Sequence, residues 1–360
     1  MVNVRNIAAS LAFSSIIGAA VAHPGDPADE VKRELESHKS ARPFARRALN
    51  SCAGSPETAA LKARSVARRA AAAEALRQKR GLAGQVMRTK RDLVDLEQWA
   101  TVDHDSSALG YSLDTPLETI FDSNATCALV PEVTIGPYWV AGELIRADVT
   151  DAEPGVPVHL DLQFVDINTC EPIPDMLIDI WHCNSTGVYS GVNATGQGGL
   201  DATYLRGIQG TDADGVAQFD TIFPGHYTGR APHIHLMSTE NATILSNNTY
   251  LSGKPNHIGQ LFFDQDLITE VETLTPYTAN TQRLTLNVDD GIDAQTATED
   301  YDPFVAYVRL GDDLNSGVLA YLTVFVDTTA NYTSSARAAA HYYEGGGVST
   351  GNTGGGGPRP

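Results

Sequence analysis

The sequence predicts an all-β protein: a β-sandwich domain preceded by a basic, partly helical N-terminal segment. Apolar and polar residues alternate in many short runs, as in Val158–Phe164, and this period of two is typical of half-buried strands. Turn-forming clusters such as Asn168–Pro172 and Thr211–Gly215 separate the runs. No long amphipathic helical pattern lies between them, which favours two packed sheets over an α/β fold.

Seven runs are predicted strands on this basis. They are Val158–Phe164, Met176–Cys183, Val216–Ile222, His233–Met237, Gln260–Phe263, Arg283–Val288 and Leu319–Val326. The sandwich domain is expected to span residues 92–344. A flexible, glycine-rich tail is expected at residues 345–360.

Residues 1–22 have the features of a secretory signal peptide. Arg5 provides a positive start, an apolar run extends from Ile7 to Val21, and small residues precede His23. The run is interrupted by serines and is shorter than the roughly 18 apolar residues that a spanning helix needs. We therefore expect a secreted, extracellular protein with no membrane partner.

Sequons and cysteines fit the same route. Asn-x-Ser/Thr motifs, which accept N-linked glycans, occur at Asn124, Asn184, Asn193, Asn241, Asn247 and Asn331. Asn184 is expected to stay unmodified because it lies next to the candidate site. Four cysteines are compatible with two disulfides. Cys170 and Cys183 lie at opposite ends of one predicted strand, so each is expected to pair with Cys52 or Cys127.

Charge is unevenly distributed along the chain. Residues 23–91 contain 16 Lys and Arg against 7 Asp and Glu, whereas residues 92–360 contain 8 against 37. The acidic body would repel a polyanion, and the basic Ala59–Arg80 stretch has no aromatic residues for base stacking, so no nucleic-acid partner is expected. The alanine and arginine content of that stretch predicts a helix. Residues 23–91 are either a propeptide removed at dibasic pairs, Lys79-Arg80 or Lys90-Arg91, or a retained arm lying on the acidic body.

The strongest chemical pattern lies between residues 181 and 235. His233 and His235 are one residue apart on a predicted strand, so both imidazoles project from one face and can offer nitrogen ligands to one metal ion. Alone, such a pair is more often two surface or core histidines. Two further residues favour a metal site. Tyr189 and Tyr227 stand upstream beside glycines in loops, where we expect them to be packed less tightly than core residues, so that their hydroxyls can bind a metal.

The tyrosines indicate which metal. A phenol has a pKa near 10 and becomes an anionic ligand at neutral pH only beside a strong Lewis acid. Fe(III) is hard and oxophilic, and it suits mixed phenolate and imidazole ligation better than zinc or magnesium does. Two tyrosines and two histidines therefore predict a non-haem Fe(3+) site.

These residues and their surroundings resemble the intradiol ring-cleavage dioxygenases, the family of the catechol and protocatechuate dioxygenases, and most of all its fungal secreted members. The resemblance runs from Asp179 to His235, back to Cys127 and the Gly136-Pro137-Tyr138 turn, and forward to Ile258–Phe263. It covers about half the chain. Four ligand positions, their order and the intervening glycine and proline turns coincide, which makes the pattern specific.

The resemblance implies a role for each matching ligand. Tyr189 resembles the equatorial tyrosinate, and Tyr227 resembles the axial tyrosinate that leaves when substrate binds. His233 and His235 resemble the histidine ligands.

Four other residues match positions around the metal. Arg230 resembles the arginine that stabilises negative charge on the substrate, and Gln260 resembles a polar residue in the following strand. Tyr138 resembles a residue that lines the mouth of the pocket. Arg206 resembles a structural arginine near the site.

The resemblance implies an enzyme that inserts both atoms of O₂ into catechol-type aromatic diols and yields cis,cis-muconate-type products. The alternative is a catalytically silent β-sandwich module that binds aromatic or cell-wall material; the intact ligand positions and Arg230 argue against it. The Tyr227–His233 interval is shorter than in the bacterial enzymes, so the resemblance leaves the preferred catechol open. The N-terminal region does not match the dimerisation helices of intracellular members, so it implies no oligomeric state.

Three other histidines are assigned non-ligand roles. His182 is expected to be a packed, hydrogen-bonded residue. The side chain of His226 is expected to point in the opposite direction to that of Tyr227 if the segment is extended. His23 at the predicted mature N-terminus suggests a copper site formed with its own amine. That reading is disfavoured because the iron motif already uses the neighbouring pair of histidines.

Overall fold

The computed structural model describes residue 52 and residues 56–82, 127–128, 133–251, 253–293, 304–343 and 346–351. The predicted signal peptide, His23, the Lys90-Arg91 pair and the Asn124 sequon lie outside these residues. Among the helices that are described, none has the length and apolar character needed to cross a membrane.

Two sheets form the body of the protein, as predicted. The first contains β1 (Cys127–Ala128), β3 (Pro157–Asp166), β6 (Val216–Ile222), β11 (Ala306–Arg309) and β12 (Val318–Val326). In it β12 runs parallel to β1 and β3 and antiparallel to β11, and β3 pairs antiparallel with β6. The second has the order β10 (Lys254–Phe262), β7 (His233–Glu240), β4 (Leu177–Trp181), β5 (Arg206–Gly210), all antiparallel.

Smaller elements complete the fold. A third sheet joins β2 (Val140–Ala141), β13 (Ala340–Tyr343) and β14 (Gly346–Ser349), and a hairpin joins β8 (Thr243–Ile244) to β9 (Tyr250–Leu251). The helices are α1 (Pro56–Lys79) and α2 (Gln265–Val271). Short 3-10 turns occupy Tyr277–Ala279, Asn287–Asp289 and Leu314–Ser316.

The main core lies between the first two sheets. Alternate residues of the facing strands are buried there, including Leu160, Leu162, Ile178, Ile180, Ile234, Leu236, Ala320 and Leu322. This is the packing that period-two alternation predicts for a sandwich. In β7 the alternation also places His233 and His235 on the opposite face, away from the core.

Helix α1 covers the outer face of the first sheet. Strand β12 is buried along its whole length because one face meets the second sheet while Leu319 and Tyr321 pack under Val66 and Ala70 of the helix. The guanidinium of Arg69 lies 4.6 Å from the centre of the Tyr321 ring. The basic segment is thus helical where it is described, and its helix lies on the body of the protein.

A buried ion cluster also holds α1 in place. Asp161 on β3 accepts hydrogen bonds from Arg68 at 2.9 and 3.0 Å and from Arg69 at 2.9 Å. Burial by itself would raise the pKa of Asp161, but the two arginines outweigh it and the pKa is lowered. Asp161 therefore stays ionised, and its charge is compensated within the cluster.

The disulfide prediction is half right. Cys52 forms a disulfide with Cys170, which ties the start of the helical segment to the turn after β3. The prediction that Cys183 also forms one is wrong, since its thiol is free, buried and hydrogen-bonded to the carbonyl of Gly225 at 3.3 Å. The pattern of an even cysteine count does not distinguish a bridging cysteine from one packed beside a loop.

Two further predictions are corrected by the structure. The predicted strand Arg283–Val288 is an irregular segment that ends in a 3-10 turn, with Val288 half exposed. Its polar groups bind loop residues instead of a neighbouring strand, as described below. The predicted flexible tail begins instead with strand β14, because the glycines of Gly346–Ser349 pair with β13.

Candidate metal centre

Two histidines converge on the outer face of the second sheet. His235 lies at the centre of that sheet, paired with Trp181 of β4 and Gln260 of β10. The Nε2 atoms of His233 and His235 are 3.1 Å apart, and both side chains are buried. Two ligand atoms bound at about 2.1 Å and at right angles on one metal ion would be about 3 Å apart. The pair has the spacing of adjacent metal ligands.

The tautomer of His233 is set by its own turn. Its Nδ1 lies 2.6 Å from the carbonyl oxygen of Ala231. A carbonyl only accepts, so Nδ1 carries the proton and the Nε2 lone pair faces His235. A hydrogen bond of this kind orients an imidazole for metal binding.

The two tyrosines complete the convergence. The Tyr227 hydroxyl is 3.4 Å from Nε2 of His233. The Tyr189 ring packs edge-on to Tyr227, with centroids 5.7 Å apart, and lies 6.2 Å from the ring of His235. Both tyrosines are buried, although their glycine-flanked loops suggested looser packing. All four predicted ligands therefore meet in one place.

The four candidate ligand side chains are neutral in the absence of a metal ion. Burial raises the pKa of Tyr189 and of Tyr227, and burial together with His233 and Arg230 lowers the pKa of His235. The Tyr189 hydroxyl is buried without a hydrogen bond of normal geometry among the described residues. Two neutral phenols and neutral imidazoles pointing at one spot fit a cation strong enough to ionise the phenols. These residues fit Fe(III).

No other described group competes for this assignment. Within the described part of the chain, no cluster of three or more His, Cys, Asp or Glu side chains is arranged to hold a metal. His182 is packed as predicted: Nδ1 meets the Cys183 carbonyl at 2.8 Å and Nε2 meets Thr221 at 2.7 Å. His226 points away as predicted, to Glu272 at 2.8 Å.

Arg230 lies beside the ligands in a buried ion pair. Its Nε donates to Asp290 at 2.9 Å, and Nη2 donates to the side-chain oxygen of Gln260. Burial would lower the pKa of Arg230, but Asp290 and Tyr227 raise it on balance, so the guanidinium stays charged. The structure brings both predicted residues, Arg230 and Gln260, to the candidate centre.

Arg206 anchors the loop that carries Tyr189 by hydrogen bonds to its backbone. This buried guanidinium donates to the Ser190 carbonyl at 2.7 and 3.0 Å and lies 5.9 Å from the centre of the Tyr189 ring. Glu143 lies 3.6 Å from Arg206, and burial raises the pKa of Glu143 to about 7. Gly187 has φ +79°, and a Cβ there would collide with the His226 carbonyl. The predicted structural role of Arg206 is thus that of a loop anchor.

Aromatic residues line the surroundings of the ligands. Tyr138, the predicted pocket residue, is half-buried, with its ring centroid 4.9 Å from that of Tyr189. Trp181 stacks on His235 with centroids 4.8 Å apart and planes 6° apart. The indole fixes the plane of that imidazole.

Sequence reasoning missed Asp290 and Ser190. Asp290 lies 60 residues from Arg230, just after the predicted strand Arg283–Val288, and belongs to no motif. Ser190 was visible only as a neighbour of Tyr189. No sequence signal in a single chain identifies either contact.

Comparisons with known proteins cover the part of the chain that contains this site. A family model described as a dioxygenase matches residues 136–258, which contain all four candidate ligands and Arg230. Catechol 1,2-dioxygenase 1 of Acinetobacter lwoffii is 27% identical over 176 residues, 41% of this chain and 55% of that protein. This chain thus spans about half the length of the curated relative it matches.

Solved structures give similar matches. An intradiol ring-cleavage dioxygenase from Tetranychus urticae is 29% identical, with 57% of this chain and 98% of that chain covered and a TM-score of 0.48. The dioxygenase domain of a dioxygenase and carbohydrate-binding protein fusion from Streptomyces sp. SirexAA-E is 22% identical, with 55% and 98% covered and a TM-score of 0.36. The family-model match and the catechol 1,2-dioxygenase relative both support the resemblance of this chain to the intradiol ring-cleavage dioxygenases.

Proposed function

We propose that this chain is a secreted, non-haem Fe(III) intradiol dioxygenase that inserts both atoms of O₂ into catechol-type aromatic diols to give cis,cis-muconate-type products. The observation that carries the proposal is the convergence of Tyr227, His233 and His235, with a 3.1 Å spacing between imidazole nitrogens. Tyr189 would supply the fourth ligand. The chemistry of these donors favours Fe(III) over softer or divalent ions.

Bound Fe(III) would supply the Lewis acidity that ionises the phenols and the diol and makes the aromatic ring reactive toward O₂. Tyr227 would give up its position to the substrate and accept one of its protons. Its hydroxyl is suited to this because it is close to His233 but belongs to a separate turn. Tyr189, held by Arg206 through Ser190, would remain in place.

Arg230 would hold a positive charge beside the substrate. It is buried and already fixed by Asp290 and Gln260, so it requires no rearrangement when negative charge develops on the ring. A preorganised donor of this kind contributes on the order of 3 kcal/mol to transition-state stabilisation in other enzymes. Tyr138 would contact the substrate at the entrance, next to Tyr189.

Secretion is part of the proposal and rests on the sequence. Residues 1–22 have signal-peptide character, and the Cys52–Cys170 disulfide fits an oxidising compartment. The sequons Asn193, Asn241, Asn247 and Asn331 all have exposed side chains. Asn184 instead donates to Glu153 at 3.0 Å and accepts from its own turn, consistent with an unmodified residue.

Iron analysis and turnover test the proposal together. The purified protein should contain one iron ion per chain, absorb visible light through tyrosinate-to-Fe(III) charge transfer, and convert catechol under O₂ to a muconate. A protein that stays colourless and inert after anaerobic loading with iron would contradict it, and would favour the silent binding module. A yellow semialdehyde product would indicate extradiol cleavage instead.

A further inference from the structure

The turn that carries Tyr227 and Arg230 is bound along its whole length by one other segment. We define the site turn as residues 226–231 and the strap as the four residues of that segment that bind it, Asn280, Gln282, Thr285 and Asp290. Asn280 donates to the His226 carbonyl at 2.8 Å, and the Gln282 side chain accepts from the amide of Thr228 at 3.3 Å. Thr285 accepts from the amide of Gly229 at 3.0 Å. The strap therefore takes the place of a pairing strand for this turn.

The strap ends on Asp290, which is fully buried. One of its oxygens, Oδ2, accepts from Nε of Arg230 at 2.9 Å and from the amide of Ala231 at 2.7 Å. Its other oxygen accepts from the amide of Ile292 at 2.8 Å. A single carboxylate atom thus fixes a side chain and the adjacent backbone of the site turn.

The backbone contact leads directly to a metal-ligand candidate. Asp290 accepts a hydrogen bond from the amide of Ala231, and the carbonyl of Ala231 accepts one from Nδ1 of His233. That hydrogen bond leaves the Nε2 lone pair facing His235. The same carboxylate therefore acts on two functional groups, the Arg230 guanidinium and the His233 imidazole.

We propose that Asp290 is a positioning residue of the active site, and that the strap it terminates is what allows the short Tyr227–His233 connection to hold its geometry. The inference rests on the proposed function for its catalytic consequence. Asp290 acts through Arg230 and His233 and needs no contact with the substrate. An active-site group displaced by about 1 Å can lose about 100-fold in rate, which sets the scale of the effect.

Asp290→Asn is the direct test, with Asp289→Asn as the matched control. Both changes remove one negative charge, but Asp289 is exposed and one residue away. We expect Asp290→Asn to lower kcat at least about tenfold with a smaller change in KM, at wild-type iron content, because the four ligands remain. Asp289→Asn should match the wild type. Equal kcat values for the two variants would overturn the proposal.

A double-mutant cycle separates positioning from a general structural effect. At saturating iron and in an Arg230→Gln background, Asp290→Asn should cost less than about threefold further in kcat, because the guanidinium it positions is absent and its effect on iron binding through His233 is saturated. Costs that simply multiply would overturn the proposal.

His233 provides a readout other than turnover. We expect Asp290→Asn to weaken iron binding about tenfold, measured by competition with a chelator, as loss of partners behind a ligand does in other metal sites. Saturating iron should restore the iron content of this variant to that of the wild type, so kcat of the two proteins is compared under that condition. Unchanged iron affinity would overturn the inference that Asp290 positions His233.

A milder variant covers the case in which Asp290→Asn does not fold. Thr285→Val removes only the acceptor for the Gly229 amide, and it should lower kcat several-fold. Wild-type kcat in this variant would then overturn the proposal. If wild type and Asp289→Asn both lack iron and turnover, the proposed function fails instead. The iron-free protein still tests the strap: the loss of thermal stability in the double variant Asp290→Asn/Arg230→Gln should be smaller than the sum of the losses in the two single variants.

Discussion

The Nε2 atoms of His233 and His235 face each other at 3.1 Å in a buried site. Two lone pairs at this distance repel unless a proton or a cation lies between them. His235→Ala should therefore reduce iron affinity by more than about 100-fold, since loss of a supporting partner alone typically costs 10- to 100-fold. His341→Ala, an exposed histidine on β13, is the control for metal content. Equal iron content in both variants would exclude His235 as a ligand.

The two tyrosines should differ in their spectra. Tyr189→Phe is expected to bleach or shift the visible band, because its hydroxyl is buried with no other well-formed hydrogen bond among the described residues. Tyr227→Phe should retain part of the band and lower kcat, because it removes a proton acceptor while Tyr189 still absorbs. Absorption spectra of both iron-loaded variants check this. Identical spectra would contradict the distinct roles.

Arg230→Lys should lower kcat by about 100-fold. Lysine keeps the charge but cannot donate in fixed directions to both Asp290 and Gln260, as the guanidinium does. Arg64→Lys, in an exposed ion pair with Asp214, is the matched control and should retain wild-type kcat. A kcat for Arg230→Lys within twofold of the control would show that orientation of the cation does not matter.

Docking of α1 should weaken in acid. The folded-state pKa of Asp161 lies below its unfolded value, so its contribution is complete above the unfolded pKa of about 3.9 and is lost as pH falls below it. Asp161→Asn leaves Arg68 and Arg69 without their carboxylate and should cost about 3–5 kcal/mol in the free energy of unfolding at neutral pH. Denaturant unfolding measures this. A variant as stable as wild type at pH 7 would contradict the role of the cluster.

Glycan occupancy tests the secretory route. Expression in a eukaryotic secretory host should place glycans at Asn193, Asn241, Asn247 and Asn331, whose side chains are exposed. Asn184 should be unoccupied because its side chain is committed to Glu153 and to Thr186. Mass spectrometry of glycopeptides before and after enzymatic deglycosylation reads out each site. An occupied Asn184 would mean that the turn carrying it is remodelled.

The sheets and ligands could be predicted because their signals are local. Alternation identified six of the seven predicted strands, and the one-residue spacing of His233 and His235 fixes their common face once β7 forms. The Arg283–Val288 segment has the same alternation but pairs with no strand among the described residues. Its Thr285 side chain instead accepts a hydrogen bond from the amide of Gly229 in the site turn.

Long-range partners could not be predicted. Asp290 meets Arg230 and Asp161 meets Arg68 across 60 and 93 residues, and any of 44 acidic residues was available to each arginine. The choice of Cys52 for Cys170 likewise depends on where α1 packs. These contacts follow from the fold and not from a local pattern.

Turnover under ¹⁸O₂ is the most direct test of the central claim. Catechol and ¹⁸O₂ should give cis,cis-muconate with both labelled oxygen atoms, one in each carboxyl group, and only in protein that contains iron and an intact His235. A product without two labelled atoms, a semialdehyde product, or no product from fully iron-loaded protein would contradict the assignment of intradiol dioxygenase activity to this site.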